Sequence, residues 1–230
     1  MVNVTLFDMV LLPVRNLLLV LLLLFCTGFS GRKEEGGAIV LPADLRNGDI
    51  IFLQSSSRQS STLEEATHSR WTHTGIILRR DNRWMVAEAA ATVKYTPIEE
   101  FIGNGKGHRF VTKRLEKSPF GSTDAGPKLA KQVARFLGRP YDIHFKWDDE
   151  TIYCSELVWK VYQPFVSLSK PQRMRDMDLA GPQAKRMIEE RYTRKGQRLN
   201  PDETVVTPAA IFNSPRLVQV YDSRDHRGAK

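Results

Sequence analysis

Two apolar, β-prone runs, Thr72 to Arg79 and Arg83 to Ala89, flank Asp81-Asn82. This pattern predicts an antiparallel hairpin, and it constrains the chain more than any other feature does. With the turn at Asp81-Asn82, Gly75 faces Glu88, and His73 becomes a diagonal neighbour of Glu88, about 7–8 Å away at the backbone. A tighter turn at Arg80-Asp81 sets His73 directly opposite Glu88. Both registers leave the two side chains on one face of the sheet.

Other segments assemble around that hairpin. Asp49 to Gln54 reads as a strand entered through the turn Asn47-Gly48, and the serine-rich stretch Ser55 to Ser61 as a loop. Val93 to Tyr95 continues the sheet. Thr96-Pro97-Ile98-Glu99 has the form of a capping box with proline at the first helical position, opening a short helix that Gly103 ends. Residues 103–108 read as a flexible loop and Phe110 to Leu115 as a strand. Pro127 to Leu137 and Tyr153 to Phe165 carry apolar stripes at helical spacing. Residues 166–203 are polar and basic, helical in part after Pro182, and Val205 to Phe212 and Leu217 to Tyr221 read as closing strands. Strands followed by helices predict an α+β domain, not an alternating βαβ sheet. Residues 31–230 are expected to form one such domain.

Ahead of it, Leu17 to Phe25 is an uninterrupted apolar run of nine, preceded by Arg15 and followed by Thr27, Gly28, Ser30 and Gly31. A positive flank, a short apolar centre and a small-residue exit make residues 1–30 a secretory signal, with cleavage after Gly28 or Ser30 and Met9 as an alternative start. The alternatives are an anchor retained through residues 10–29 and a lipoprotein joined at Cys26. The run is short for a span, which needs about 20 apolar residues, and Phe25 is bulky for a lipid-attachment site. The reading is therefore of an exported protein of the periplasm or cell envelope.

Of 230 residues, 34 are Lys or Arg and 26 Asp or Glu, a net charge of +8. Export excludes nucleic acid as the partner of this basic excess and favours an anionic envelope surface. The cysteines are Cys26 and Cys154, too few for a disulfide framework. With the leader removed, Cys154 is alone, and it is either a small buried core residue or a thiol kept for reactivity.

Cys154 falls at the predicted start of a helix. Unpaired N–H groups and the helix dipole there stabilise a thiolate, and the same groups can hold an oxyanion. A nucleophilic thiol requires a base. Of the five histidines, His226 lies in the tail and His108 among glycines, whereas His73 opens a strand beside Glu88. Glu88 sits within an apolar run, where a carboxylate needs a partner, and an imidazole supplies one. Cys154, His73 and Glu88 are thus the candidate relay. His68 and His73 lack zinc-site spacing and there is no H-E-x-x-H, so neither metal nor cofactor is expected.

Gly138-Arg139-Pro140-Tyr141, followed by Tyr153-Cys154-Ser155-Glu156-Leu157-Val158, resembles the G-x-P-Y … C-S-x-L-V signature of papain-like amidases of the NlpC/p60 superfamily. Because His73 precedes Cys154, the resemblance is to the circularly permuted, YiiX-like branch. Gly48 to Phe52, Ala66 to Ser69, His73-Thr74-Gly75, Val93 to Pro97 and Glu203 to Val206 also match. The resemblance implies a circularly permuted papain-like α+β fold, with a curved antiparallel sheet packed on the nucleophile helix. It implies Cys154 as nucleophile, His73 as base and Glu88 as orienting acid, with Tyr141 and Tyr153 lining the substrate cleft. The expected activity is hydrolysis of a peptide-like amide, with peptidoglycan-derived peptides as one source. Alternatives are a thiol-dependent lipid acyltransferase or lipid hydrolase, and a non-catalytic envelope-binding module. The Gly-Gly after Pro-Tyr is missing and Tyr153 replaces the usual Asp, so specificity does not carry over.

Overall fold

The computed structural model describes residues 39–225. The expected signal or anchor, with Cys26, and His226 lie outside these residues. Strands β1 (Ile50–Ser55), β2 (His73–Arg80), β3 (Arg83–Ala89), β4 (Val93–Pro97), β5 (Gly105–Leu115) and β8 (Leu217–Asp222) form one sheet. Its order is β4-β3-β2-β1-β5-β8, with antiparallel neighbours throughout.

The hairpin turns at Asp81-Asn82, and both residues take positive φ (47° and 60°). A two-residue turn of that kind matches the twist of the flanking strands, and Asp and Asn tolerate it well. Arg80 pairs with Arg83 and Ile76 with Ala87, which is the wider of the two registers. A Cβ on Gly75 would meet Val86 Cγ1 at 2.4 Å and Ala87 O at 2.9 Å. The glycine therefore lets β3 lie close at this point.

Both faces of the sheet are covered, which is why β1 reads as a continuous apolar run. Ile50 and Phe52 point towards helices α3 (Gly126–Val133) and α4 (Cys154–Tyr162). Ile51 and Leu53 point the other way, to Phe101 and Ile102 of α2 (Ile98–Gly103). On α4, Leu157, Val158, Val161 and Tyr162 are wholly buried, each contributing roughly 1.5–3 kcal/mol through burial. Helix α5 (Pro182–Arg191) packs on α1 (Ser60–Thr67). Two-residue strands β6 (Gln172–Arg173) and β7 (Thr204–Val205) pair with each other.

Four local expectations are corrected. Ser60 to Thr67 is helix, where a serine-rich loop was expected to extend to Ser61. β5 begins at Gly105 within the expected loop. Val205 to Phe212 is largely a helix, α6 (Pro208–Phe212), not a strand. There Thr207 accepts a hydrogen bond from the Ala210 N–H at 3.0 Å, and Pro208 takes the first helical position. Finally, Thr96 is no helix cap: α2 starts after Pro97 without a side-chain cap, because the Thr96 hydroxyl is used elsewhere.

Candidate active site

His73 is the first residue of β2. Its ring stacks on Phe101 at 5.1 Å between centroids, and its Nε2 lies 2.6 Å from Glu88 Oε2. The imidazole also hydrogen-bonds Cys154. With Nε2 engaged by the carboxylate, Nδ1 is the nitrogen left for the sulfur. Burial by itself pulls the imidazole pKa down. The hydrogen bond and charge of Cys154, then those of Glu88, outweigh burial and push it up to about 10. Both partners thus favour the charged, imidazolium form of the ring.

Glu88 is only 3 % exposed. Its other oxygen, Oε1, accepts the Thr96 hydroxyl at 2.5 Å. Burial favours the neutral acid, but His73 and then Thr96 prevail and hold this carboxyl below the usual carboxylate range. Val86 pairs with Thr96 and Glu88 with Lys94, so Thr96 is the diagonal neighbour of Glu88 on β4. That placement needs the β3–β4 register, which the sequence pattern does not reveal.

Cys154 is the first residue of α4 and is buried. The first N–H groups of a helix have no partner within it, so unpaired donors lie at the end of α4 that carries the thiol. The Gly138-Arg139-Pro140-Tyr141 strip brings Tyr141 to the same place. The Gly138 N–H donates to Val93 O, the Tyr141 N–H to Ala91 O, and the Ile152 N–H to Pro140 O. The strip thus lies between the β4 edge and the residues that lead into Tyr153-Cys154. Gly138 itself has φ +80°, a conformation glycine adopts at little cost.

Tyr141 borders the cleft on both sides of the thiol. Burial first, then the nearby sulfur, hold its hydroxyl strongly in the neutral form. Tyr153 also lines the apolar cavity at the thiol, with its ring packed on Phe145 and its hydroxyl accepting the Val206 N–H at 3.0 Å. The Ser155 hydroxyl donates to Val206 O at 2.7 Å, so Val206 braces the head of α4 from both sides. His68 is remote, at the C-terminal cap of α1, and pairs with Asp178 at 3.1 Å.

Two spaces flank the thiol–imidazole pair, one reaching His73 and the other Cys154. One is a groove of about 560 Å³, bordered by His73, Ser56, Thr72 and Asn104 and by the apolar Leu63 and Ala89. The other is a small apolar cavity of about 30 Å³, reaching Cys154 and walled by residues that include Leu63, Met174, Met187 and Val206, with Arg191.

A sheet backed by a helix that begins with cysteine, with the histidine strand earlier in the chain, defines a permuted papain-like cysteine peptidase or amidase. Residues 44–221 match the family described as permuted papain-like amidase enzyme, YaeF/YiiX, C92 family, and the chain belongs to that family. It is 40 % identical over 177 residues to YiiX of Escherichia coli (strain K12), covering 76 % of this chain and 85 % of that one. It also resembles the crystal structure of yiiX from Escherichia coli O157:H7, with a TM-score of 0.71 and 39 % identity over 77 % of this chain and 97 % of the other. That crystal structure is described as of a metalloprotein. In this chain no three His, Cys, Asp or Glu side chains among the described residues are grouped to hold a metal ion. The donor set there does not fit a resident metal, and no step below passes through one.

Proposed function

We propose that the protein hydrolyses a peptide-like amide through an acyl-enzyme, with Cys154 as nucleophile, His73 as general acid and base, and Glu88 holding the imidazole. The observation that carries this reading is His73 bonded at once to Cys154 and Glu88. The thiolate attacks the amide carbonyl, forming a C–S bond, while N–H groups at the start of α4 hold the oxyanion. The His73 imidazolium gives its proton to the nitrogen as the C–N bond breaks, and the amine leaves. The neutral imidazole then takes a proton from water. The resulting attack breaks the C–S bond, releases the acid and restores the thiolate.

The spaces beside the thiol favour an amide over a lipid ester. A cavity of about 30 Å³ holds about two waters, since one needs at least ~10–15 Å³ of such space. A long acyl chain does not fit a volume of that size. The larger groove, with Ser56, Ser57, Thr72 and Asn104 among its borders, has room for a peptide-like portion and side chains that can hydrogen-bond it. The leader at residues 1–30 and the +8 charge support an exported enzyme acting at an anionic envelope, with peptidoglycan-derived peptides as the first substrates to try.

The test is a screen of cell-wall peptides and acyl lipids with the mature protein beside Cys154→Ser and Cys154→Ala controls. Turnover of an amide that both substitutions abolish is expected. An unimpaired Cys154→Ala enzyme, free of contaminants, rejects the mechanism. Turnover of lipid esters alone rejects the substrate class.

A further inference from the structure

Exposed cations gather on the side of the sheet that carries α3. Strand alternation puts Arg80 with Ile76 and Leu78, and Arg83 with Ala87, on the face that Leu129 and Val133 of α3 cover. Both arginines are exposed and stand directly opposite one another at the end of the hairpin. On α3, Lys128 and Lys131 are three residues apart and share its outward side. Arg135 and Arg139 follow beyond its end, and all four are exposed. The backbone links the two places. The Gly138 N–H donates to Val93 O and the Val93 N–H to Arg139 O, each at 2.9 Å. Arg80 in turn lies 4.1 Å over the ring of Tyr95, two residues on from Val93.

None of these six cations pairs with a carboxylate among the described residues. From Gly126 to Tyr141 the chain carries four cations and no acid. Of the acids that flank these segments, Asp124 accepts the Asn47 side-chain amide and Asp142 is buried, which leaves Asp81 in the hairpin turn. A run of exposed cations is ordinarily a solvated face, and two features here point further. Like charges directly opposite on paired strands are destabilising, and Arg80 stands opposite Arg83. Leu137, between Arg135 and Arg139, is 43 % exposed, one of four large apolar side chains so placed among the described residues. A partner that is both anionic and apolar relieves the repulsion and covers the leucine.

Resting on the envelope reading above, we infer that this face docks on an anionic lipid bilayer, with the cations on headgroup phosphates and Leu137 at the apolar boundary beneath. A soluble polyanion offers charge alone, whereas a bilayer offers charge and an apolar layer together. Tyr141, which borders the site, is three residues beyond Gly138, at most about 11 Å of chain. Docking through this face therefore brings the cleft near the membrane surface, and the substrate class narrows to amides presented there.

The test is sedimentation of the mature protein with vesicles of phosphatidylglycerol and phosphatidylcholine in equal parts, beside vesicles of phosphatidylcholine alone. Binding to the anionic vesicles only, weakened by salt, is expected. Lys131→Glu combined with Arg135→Glu should lower that affinity about tenfold, and Leu137→Ser about threefold. Lys185→Glu combined with Arg186→Glu makes the same change of charge at exposed positions of α5 and should leave it little changed. Equal losses in the two double variants show that binding follows net charge, and overturn the docking face. So does equal binding to both kinds of vesicle, or to neither.

A second measurement separates a bilayer from a polymer. Retention on immobilised polyglutamate, with no affinity for anionic vesicles, overturns the bilayer as the partner. Vesicle binding needs no turnover, so the two readings fail separately. A face that docks as expected on a protein that cleaves no amide defeats only the hydrolase reading. Amide cleavage by a protein that ignores anionic vesicles defeats only the docking face.

Discussion

Both oxygens of Glu88 are occupied, one by His73 and one by Thr96. Thr96 therefore acts through Glu88 as a positioning residue. Replacing it with Val strands a buried acceptor, which costs about 1–3 kcal/mol. It also removes one of the groups that hold this carboxyl low. Thr96→Val should lower kcat about 3- to 30-fold with KM little changed, and should move the acid limb of the pH–rate profile to higher pH. Thr96→Ser should restore both, and an unmoved acid limb would show that the loss is structural only. The His73–Glu88 pairing was legible in the sequence, because a carboxylate within an apolar strand demands a partner and the hairpin turn limits which. Thr96 was not, since Thr-Pro-Ile-Glu also spells a helix cap and only the pairing of β3 with β4 reveals where the hydroxyl goes.

At the scale of elements, the long apolar periodicities were the readable part: the β2–β3 hairpin, β1, α4 and β8 lie where their patterns put them. Short elements escaped notice because tertiary contacts define them. α1 begins in a serine run, and its Glu65 shows why it matters. Glu65 Oε1 accepts the Gln183 and Ala184 N–H groups, each at 3.0 Å, satisfying the start of α5 from a neighbouring helix and placing a negative charge at its positive end. A Cβ on Gly181 would lie 2.0 Å from Glu65 Cδ, so the approach depends on glycine. Glu65→Ala should destabilise the fold by about 1 kcal/mol, read as a lowered denaturation midpoint. Leu157→Ala, in the wholly buried stripe of α4, should cost about 2–5 kcal/mol in the same experiment. Equal losses for the two would contradict this ranking of cap below core.

For the whole molecule, two buried groups set how stability depends on pH. His73 is pushed from 6.5 up to about 10, so its contribution is complete below 6.5 and disappears as pH rises through about 10. Glu156, buried beside Lys160, is pushed up from 4.5 to about 8, by burial first, with Lys160 opposing. The unfolded chain ionises this acid before the folded one does, so stability again falls as pH rises from 4.5 to about 8. Thermal melts should therefore decline steadily from pH 6 to pH 10. Glu156→Gln should flatten the lower part of that decline and His73→Gln the upper part. A flat profile for the unaltered protein would contradict both assignments. The α+β order was legible at this scale, because strands precede helices in the sequence. The return of residues 204–207 to the head of α4 was not, since Val205 to Phe212 reads as one more strand. That return governs when the head of α4 is finished. Val206 grips Tyr153 and Ser155 on either side of the thiol, so a nascent chain still lacking it has every group of the relay but no clamp to seat them. On the ribosome the scissors stay unriveted until that residue emerges.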